Sequence, residues 1–220
     1  MTYQIPTSAR QLTVTGASLL AAPLFMTGYG AVRLLSGHRA PGAAWTAGHL
    51  LLILGLLCFV PIVLYLRRLA AEQGTARRLT ANAAAAATLL GVCSVLGQAV
   101  VDIYVASVSV DHAAMNVRFH RFQSHPGVEP LLYTVLPLFF YLGLVVLTAV
   151  LALGRPRLTA LRIPVLVLLG TVVMAVSLDL LPLGGLVFAA AFGPLGLAML
   201  TEARTPQSAV PSTTPARTRV

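Results

Sequence analysis

Gln98 and Asp102 stand one helical turn apart inside the apolar run SVLGQAVVDIYVASVSV, residues 94–110. Residues i and i+4 share a helix face, so the amide and the carboxyl point the same way. A second apolar run carries the imidazole of His49, and a third ends on the carboxyl of Asp179. An ionised carboxylate at membrane depth costs about 2.5–3.5 kcal/mol on insertion. Desolvation penalises its charged form. Asp102 is therefore expected to face the interior of a helix bundle and either to find a partner or to bind a proton. A carboxyl kept protonated is a general acid. A carboxyl hydrogen-bonded to a neighbouring helix is a structural contact, contributing about 0.6–2 kcal/mol. Both readings stand for Asp102, His49 and Asp179, and for Gln98 the structural one comes first.

Composition names the solvent in which these groups must work. Of 220 residues 57% are hydrophobic and 10% charged, with a mean hydropathy of +0.86. Soluble domains carry about 25% charged residues. Several apolar runs reach the roughly 20 residues needed to cross a hydrocarbon core. The sequence thus reads as an all-α, polytopic membrane protein. The net charge of +9 comes from arginine alone, since the chain has no lysine. Arginine beside membrane spans follows the positive-inside rule. No basic stripe with interleaved aromatics appears, so nucleic acid is excluded as a partner. Cys58 and Cys93 lie inside apolar runs without metal spacing and read as small hydrophobes. Met1–Arg10 lacks a strongly basic start and no A-x-A site follows, so the first run is expected to remain as a span.

Six spans position the polar groups. They cover about Leu12–Leu35, Trp45–Leu66, Leu79–Val108, Pro130–Leu153, Leu161–Leu181 and Leu183–Leu200. Residues 1–204 form a single six-helix domain, and the Pro/Ser/Thr-rich stretch 205–220 a disordered cytoplasmic tail. With six crossings and an inner N-terminus, Arg10, Arg67, Arg68, Arg77, Arg78, Arg155, Arg157, Arg162, Arg204, Arg217 and Arg219 all fall inside. Only Arg33, Arg39, Arg118 and Arg121 fall outside. That asymmetry gives an N-in, C-in protein of the cell membrane. The run ANAAAAATLLG, residues 81–91, and the small residues Ala189, Gly193 and Gly196 of the last span are expected to allow close helix contacts, and Pro61, Pro137 and Pro194 to kink or loosen their helices. Gly184-Gly185 reads as a turn. No inverted repeat relates the two halves, which weakens a standard transporter reading.

This topology gathers the chemistry in one leaflet. Asp102 lies about 9 Å below the outer end of its span, and Gln98 a turn deeper. Trp45 is an interfacial anchor, with His49 one turn beneath it. Asp179 closes the fifth span and Glu129 opens the fourth. The loop DHAAMNVRFHRFQSHPGVEP, residues 111–130, carries His112, His120 and His125, at spacings of eight and five that match no helical zinc site. It reads instead as an interfacial flap, with Phe119 and Phe122 in lipid and Arg118 and Arg121 near phosphates. Neither a metal nor a cofactor is expected. Phosphate loop, H-E-x-x-H, G-x-S-x-G and D-x-x-x-D patterns are missing from the sequence.

The stretch WTAGHLLLILGLLCFVPIVLYLRR, with a carboxylate late in the next span, resembles a loose group of small multi-pass bacterial proteins of actinobacterial type. Their second span carries a similar HLLLLLG run before a basic inner loop. The resemblance rests on spans two and three, through His49 and Asp102, and implies the architecture without an activity.

Three functions fit these residues. The first is an outer-leaflet, membrane-embedded polar pocket that recognises a lipid-soluble small molecule or a partner helix. Gln98, Tyr104, Glu129 and Tyr133 would then bind the ligand. The second is an intramembrane enzyme acting on an apolar lipid, for instance cyclising an isoprenoid by protonating an alkene. Asp102, Asp179 and His49 are its catalytic candidates, and Tyr104, Tyr133, Phe139, Phe140, Tyr141, Phe188 and Phe192 could steady a cation. The third is a small proton-coupled exporter or transporter subunit with Asp102 as proton carrier. Expected partners are membrane lipid, a hydrophobic small molecule, and either a second copy of the chain or another membrane protein.

Overall fold

The computed structural model describes residues 8–36, 41–154 and 161–205, and every regular element among them is helical. The elements are α1 (Ala9–Leu35), α2 (Ala43–Ala71), α3 (Thr75–Ser107), α4 (His112–Gln123), a π-helical segment (Val128–Val135) running directly into α5 (Leu136–Gly154), α6 (Arg162–Val176), a single 3-10 turn (Leu178–Leu180) and α7 (Leu181–Arg204). Five helices are long and apolar enough to cross a membrane: α1, α2, α3, the π-segment with α5, and the 3-10 turn with α7. That is the make-up of a multi-pass membrane bundle. The expected tail lies, beyond Thr205, outside the described residues.

Two regions take a form that the apolar run lengths did not specify. The span expected over Leu161–Leu181 is a shorter, 15-residue apolar helix. Ser177 ends it by turning extended, and its hydroxyl accepts the Asp179 N–H at 3.1 Å to start the 3-10 turn. The flap expected over residues 111–130 contains α4. Asp111 caps that helix by accepting the Ala114 N–H at 2.8 Å.

Six of the helices form a ring in the order α1, α2, α3, α5, α6, α7, with α2 also touching α5 across it. Its centre is aromatic. Phe59 of α2 meets Phe140 of α5 at 4.9 Å, and Phe188 and Phe192 of α7 at 6.3 and 6.5 Å. All four rings are buried. They fill the core by edge-to-face packing, a geometry that suits their positive edges and negative faces.

Small residues set the helix spacing. Gly91 of α3 lies so close to the Phe140 backbone that a Cβ there would overlap it. Ala81, Ala84, Ala85 and Thr88, from the alanine-rich run, are buried against α2 and α5. On α7 only part of the expected small-residue stripe makes contact. Gly193 opens on empty space, whereas Gly196 abuts Gly16 of α1 backbone to backbone. Gly184 and Gly185, read as a turn, lie inside the first turns of α7 and are buried against Met174 and Thr27. Pro61 and Pro194 sit within continuous helices, as does Pro23.

Candidate functional site

At the α4 end of the bundle α2 begins, α3 ends and the π-segment starts. Trp45 and His49 are one turn apart on α2, so both rings face α3. His49 is 3% exposed. Its Nδ1 lies 2.8 Å from the Trp45 carbonyl, its Nε2 lies 3.2 Å from Asp102 Oδ2, and the Trp45 indole N–H donates to the Asp102 carbonyl at 3.0 Å. Three hydrogen bonds thus close a circuit between the two helices. The indole packs on the imidazole at 4.6 Å, and Tyr29 of α1 meets it edge-on at 5.3 Å.

This circuit fixes a proton count. A carbonyl only accepts, so Nδ1 must carry a hydrogen. Nε2 then faces a carboxyl oxygen, and that contact needs a second hydrogen between them. The pair is either imidazolium with carboxylate or imidazole with carboxylic acid. Its net charge is zero in both forms, which suits an apolar site where a lone charge would be costly. A hydrogen bond between His49 Nε2 and Asp102 Oδ2 therefore requires one proton, carried by either atom.

Gln98 has a different task. Leu136 N–H reaches back five residues to the Leu131 carbonyl. The next bond in that pattern would join residue 137 to the Leu132 carbonyl, but Pro137 has no N–H. The Leu132 oxygen is taken up by α3 instead: Ser94 Oγ donates to it at 2.8 Å and Gln98 Nε2 donates as well. Pro137 thus makes its mark as an orphaned carbonyl, and Gln98 is the group that satisfies it.

The remaining candidates scatter around the same end. Asp179 pairs with Arg33 of α1 at 3.6 Å and is half exposed. Arg33 also meets the Tyr29 side chain, so Asp179 belongs to the α1–α7 side of the ring and does not touch the His49–Asp102 pair. Tyr133 lies within electrostatic reach of Asp102. Its hydroxyl is buried without a hydrogen-bond partner among the described residues. Tyr104 is 65% exposed and lines a cleft between α3 and α4. Glu129 is exposed in the first turn of the π-segment.

Other aromatic groups are placed differently from expectation. Trp45 packs with Val105, Ala106 and Met115 between α2, α3 and α4 instead of serving only as an interfacial anchor. Phe119 turns toward Trp45 at 6.4 Å and Phe122 toward Tyr133 at 6.5 Å. Phe140, Phe188 and Phe192 belong to the packed core, where each contacts Phe59. Among the described residues no three His, Cys, Asp or Glu side chains gather as a metal group.

Sequence reading names Trp45 as an anchor above His49 but does not single out Tyr29, Arg33 or Ser94 as parts of the same polar region. Spacing carried the signal. Trp45/His49, Tyr29/Arg33 and Ser94/Gln98/Asp102 are all series of polar or amphipathic residues four apart. No family model matches the chain, and neither a curated protein nor a solved structure matches it.

Proposed function

We propose that this chain is a six-span protein of the cell membrane, both termini inside, that recognises a lipid-soluble small molecule at the outer ends of α2, α3 and α5. The arginine distribution supports the orientation: Arg10, Arg67, Arg68, Arg77, Arg78, Arg162 and Arg204 all lie at the end opposite α4. In this reading α6 and the turn after it make the sixth crossing, and membrane lipid or a second membrane protein covers the outer face. The carrying observation is the convergence of His49, Asp102, Trp45 and the unpartnered Tyr133 hydroxyl at one end of an otherwise apolar bundle. A ligand carbonyl or hydroxyl reaching Tyr133 and Asp102 would complete their hydrogen bonding, and its apolar body would lie among the helix ends.

The test is extraction of the detergent-purified protein with organic solvent, followed by mass spectrometry. An apolar compound should accompany the native chain and Asp102→Asn, and should be lost from Asp102→Leu and His49→Leu. Identical extracts from all four would overturn the reading. Cysteine labelling from outside the cell should modify a Cys placed at Val110 and spare one placed at Gln73.

The proton held between His49 and Asp102 favours one second reading, an acid-catalysed step on an apolar lipid such as an isoprenoid. That reading separates cleanly, because Asp102→Asn would keep the ligand and stop its conversion. In cells carrying that variant, unchanged substrate should then accumulate; a lipid profile equal to the native one removes the enzyme reading.

A further inference from the structure

The cleft between α3 and α4 takes no part in the proton-holding pair. Its volume is about 590 Å³, within the range of sites that hold small ligands. One wall is a single face of α3, with Val101, Val105 and Val108 spaced three and four apart. The other is a single face of α4, in which Val117 and Phe122 alternate with Arg118 and Arg121, and His125 closes the end. The apolar wall follows the last two turns of a membrane helix, a length of about 10 Å. The cationic wall crosses the end of that helix, where headgroups lie.

Neither Arg118 nor Arg121 forms an ion pair among the described residues. Asp111, the nearest acid in sequence on their own helix, is engaged as the α4 cap. His125 Nδ1 donates to the Phe122 carbonyl at 3.1 Å, which leaves its Nε2 for another partner. The cleft is also open sideways, since Tyr104, Val108 and Val117 along its rim are all exposed. Two arginines match phosphate geometry through their forked donors, and valines continuous with the lipid-facing surface match an acyl chain.

We infer that this cleft is a binding site for an anionic phospholipid, with the phosphate on Arg118 and Arg121 and one acyl chain along Val101, Val105 and Val108. A soluble phosphate would use the arginines and leave the valine wall bare. A zwitterionic lipid would fill the valine wall but bring its own cation to the arginines. An anionic lipid satisfies both walls at once.

The chain's one tryptophan reports on this site directly. Trp45 packs on the cluster of Val105, Ala106 and Met115, against which Val101 of the cleft wall also packs, and its ring lies 6.4 Å from that of Phe119 of α4. Bromine on an acyl chain quenches indole fluorescence at contact range. The full chain in detergent is titrated with phosphatidylglycerol or phosphatidylcholine brominated on the acyl chains. Phosphatidylglycerol should quench Trp45 with an apparent affinity about tenfold or more above that of phosphatidylcholine, from two basic side chains near a headgroup. In Arg118→Gln/Arg121→Gln the preference should fall to about one. It should survive in Asp102→Asn and in Arg67→Gln at the opposite end, which separates this site from the small-molecule reading above. Equal quenching by the two lipids, or a preference unchanged by the double substitution, overturns the inference. Reversal of quenching by inorganic phosphate at equal ionic strength also overturns it, in favour of a soluble anion.

Discussion

The middle of the bundle and its α4 end are built from opposite materials. Around Phe59 the helices meet through rings and glycines, and no donor or acceptor decides the fit. Around His49 they meet through a closed circuit of hydrogen bonds, with an indole and a phenol ring packed on the imidazole. Lipid chains are as apolar as leucine, so burial alone gives helices little reason to associate within a membrane. The middle answers with shape, through close backbone approach. The end answers with directionality. A shape contact fails when volume changes, and a directional contact fails when a donor or acceptor is lost.

That contrast can be broken at either region. The largest effect is expected for Gly91→Leu, because its side chain must occupy the space of the Phe140 backbone. The loss should reach about 3 kcal/mol or more, read as denaturant unfolding in detergent followed by Trp45 fluorescence. His49→Leu keeps the volume roughly and removes both ring nitrogens, leaving Asp102 without its partner. A loss of about 2–4 kcal/mol is expected. A smaller cost than that of Asp102→Asn would show that the circuit does not hold α2 to α3.

Asp102→Asn sharpens the comparison. An asparagine amide donates to a neutral imidazole Nε2, so the circuit closes without a shared proton. Stability should change by less than about 1 kcal/mol, while the carboxyl band assigned to residue 102 disappears from the infrared spectrum. The smallest effect belongs to Tyr133→Phe. The hydroxyl is buried and has no hydrogen-bond partner among the described residues, so its removal should leave stability unchanged or raise it by up to about 1 kcal/mol. A clear loss would mean that the hydroxyl is engaged in the folded protein.

The all-helical class and the gathering of polar groups at one end were legible in the sequence, because both follow from hydrophobic length and from counting turns. Depth arithmetic put Asp102, His49 and Trp45 under the same end. It could not say which helices adjoin, and so Asp179 was grouped with Asp102 when its partner is Arg33 on α1. Helix α4 escaped because its charges break the apolar pattern, although Asp111 as a cap and Met115, Phe119 and Phe122 at helical spacing marked it. Gly184-Gly185 illustrates the same ambiguity: the residue that permits a turn also permits two helices to touch. The role of Gln98 was out of reach for a different reason. Its partner is a backbone oxygen, and backbone groups leave no mark in the spelling of a sequence except where proline removes one.

Pro137 therefore has a consequence for how this chain can vary. The proline on α5 creates a demand that Ser94 and Gln98 on α3 fulfil, so a change at one of the three positions alters what the other two must do. Substituting Gln98 alone strands an oxygen. Restoring an N–H at position 137 releases Gln98 from its duty, and the two changes together should do less harm than either history would foretell.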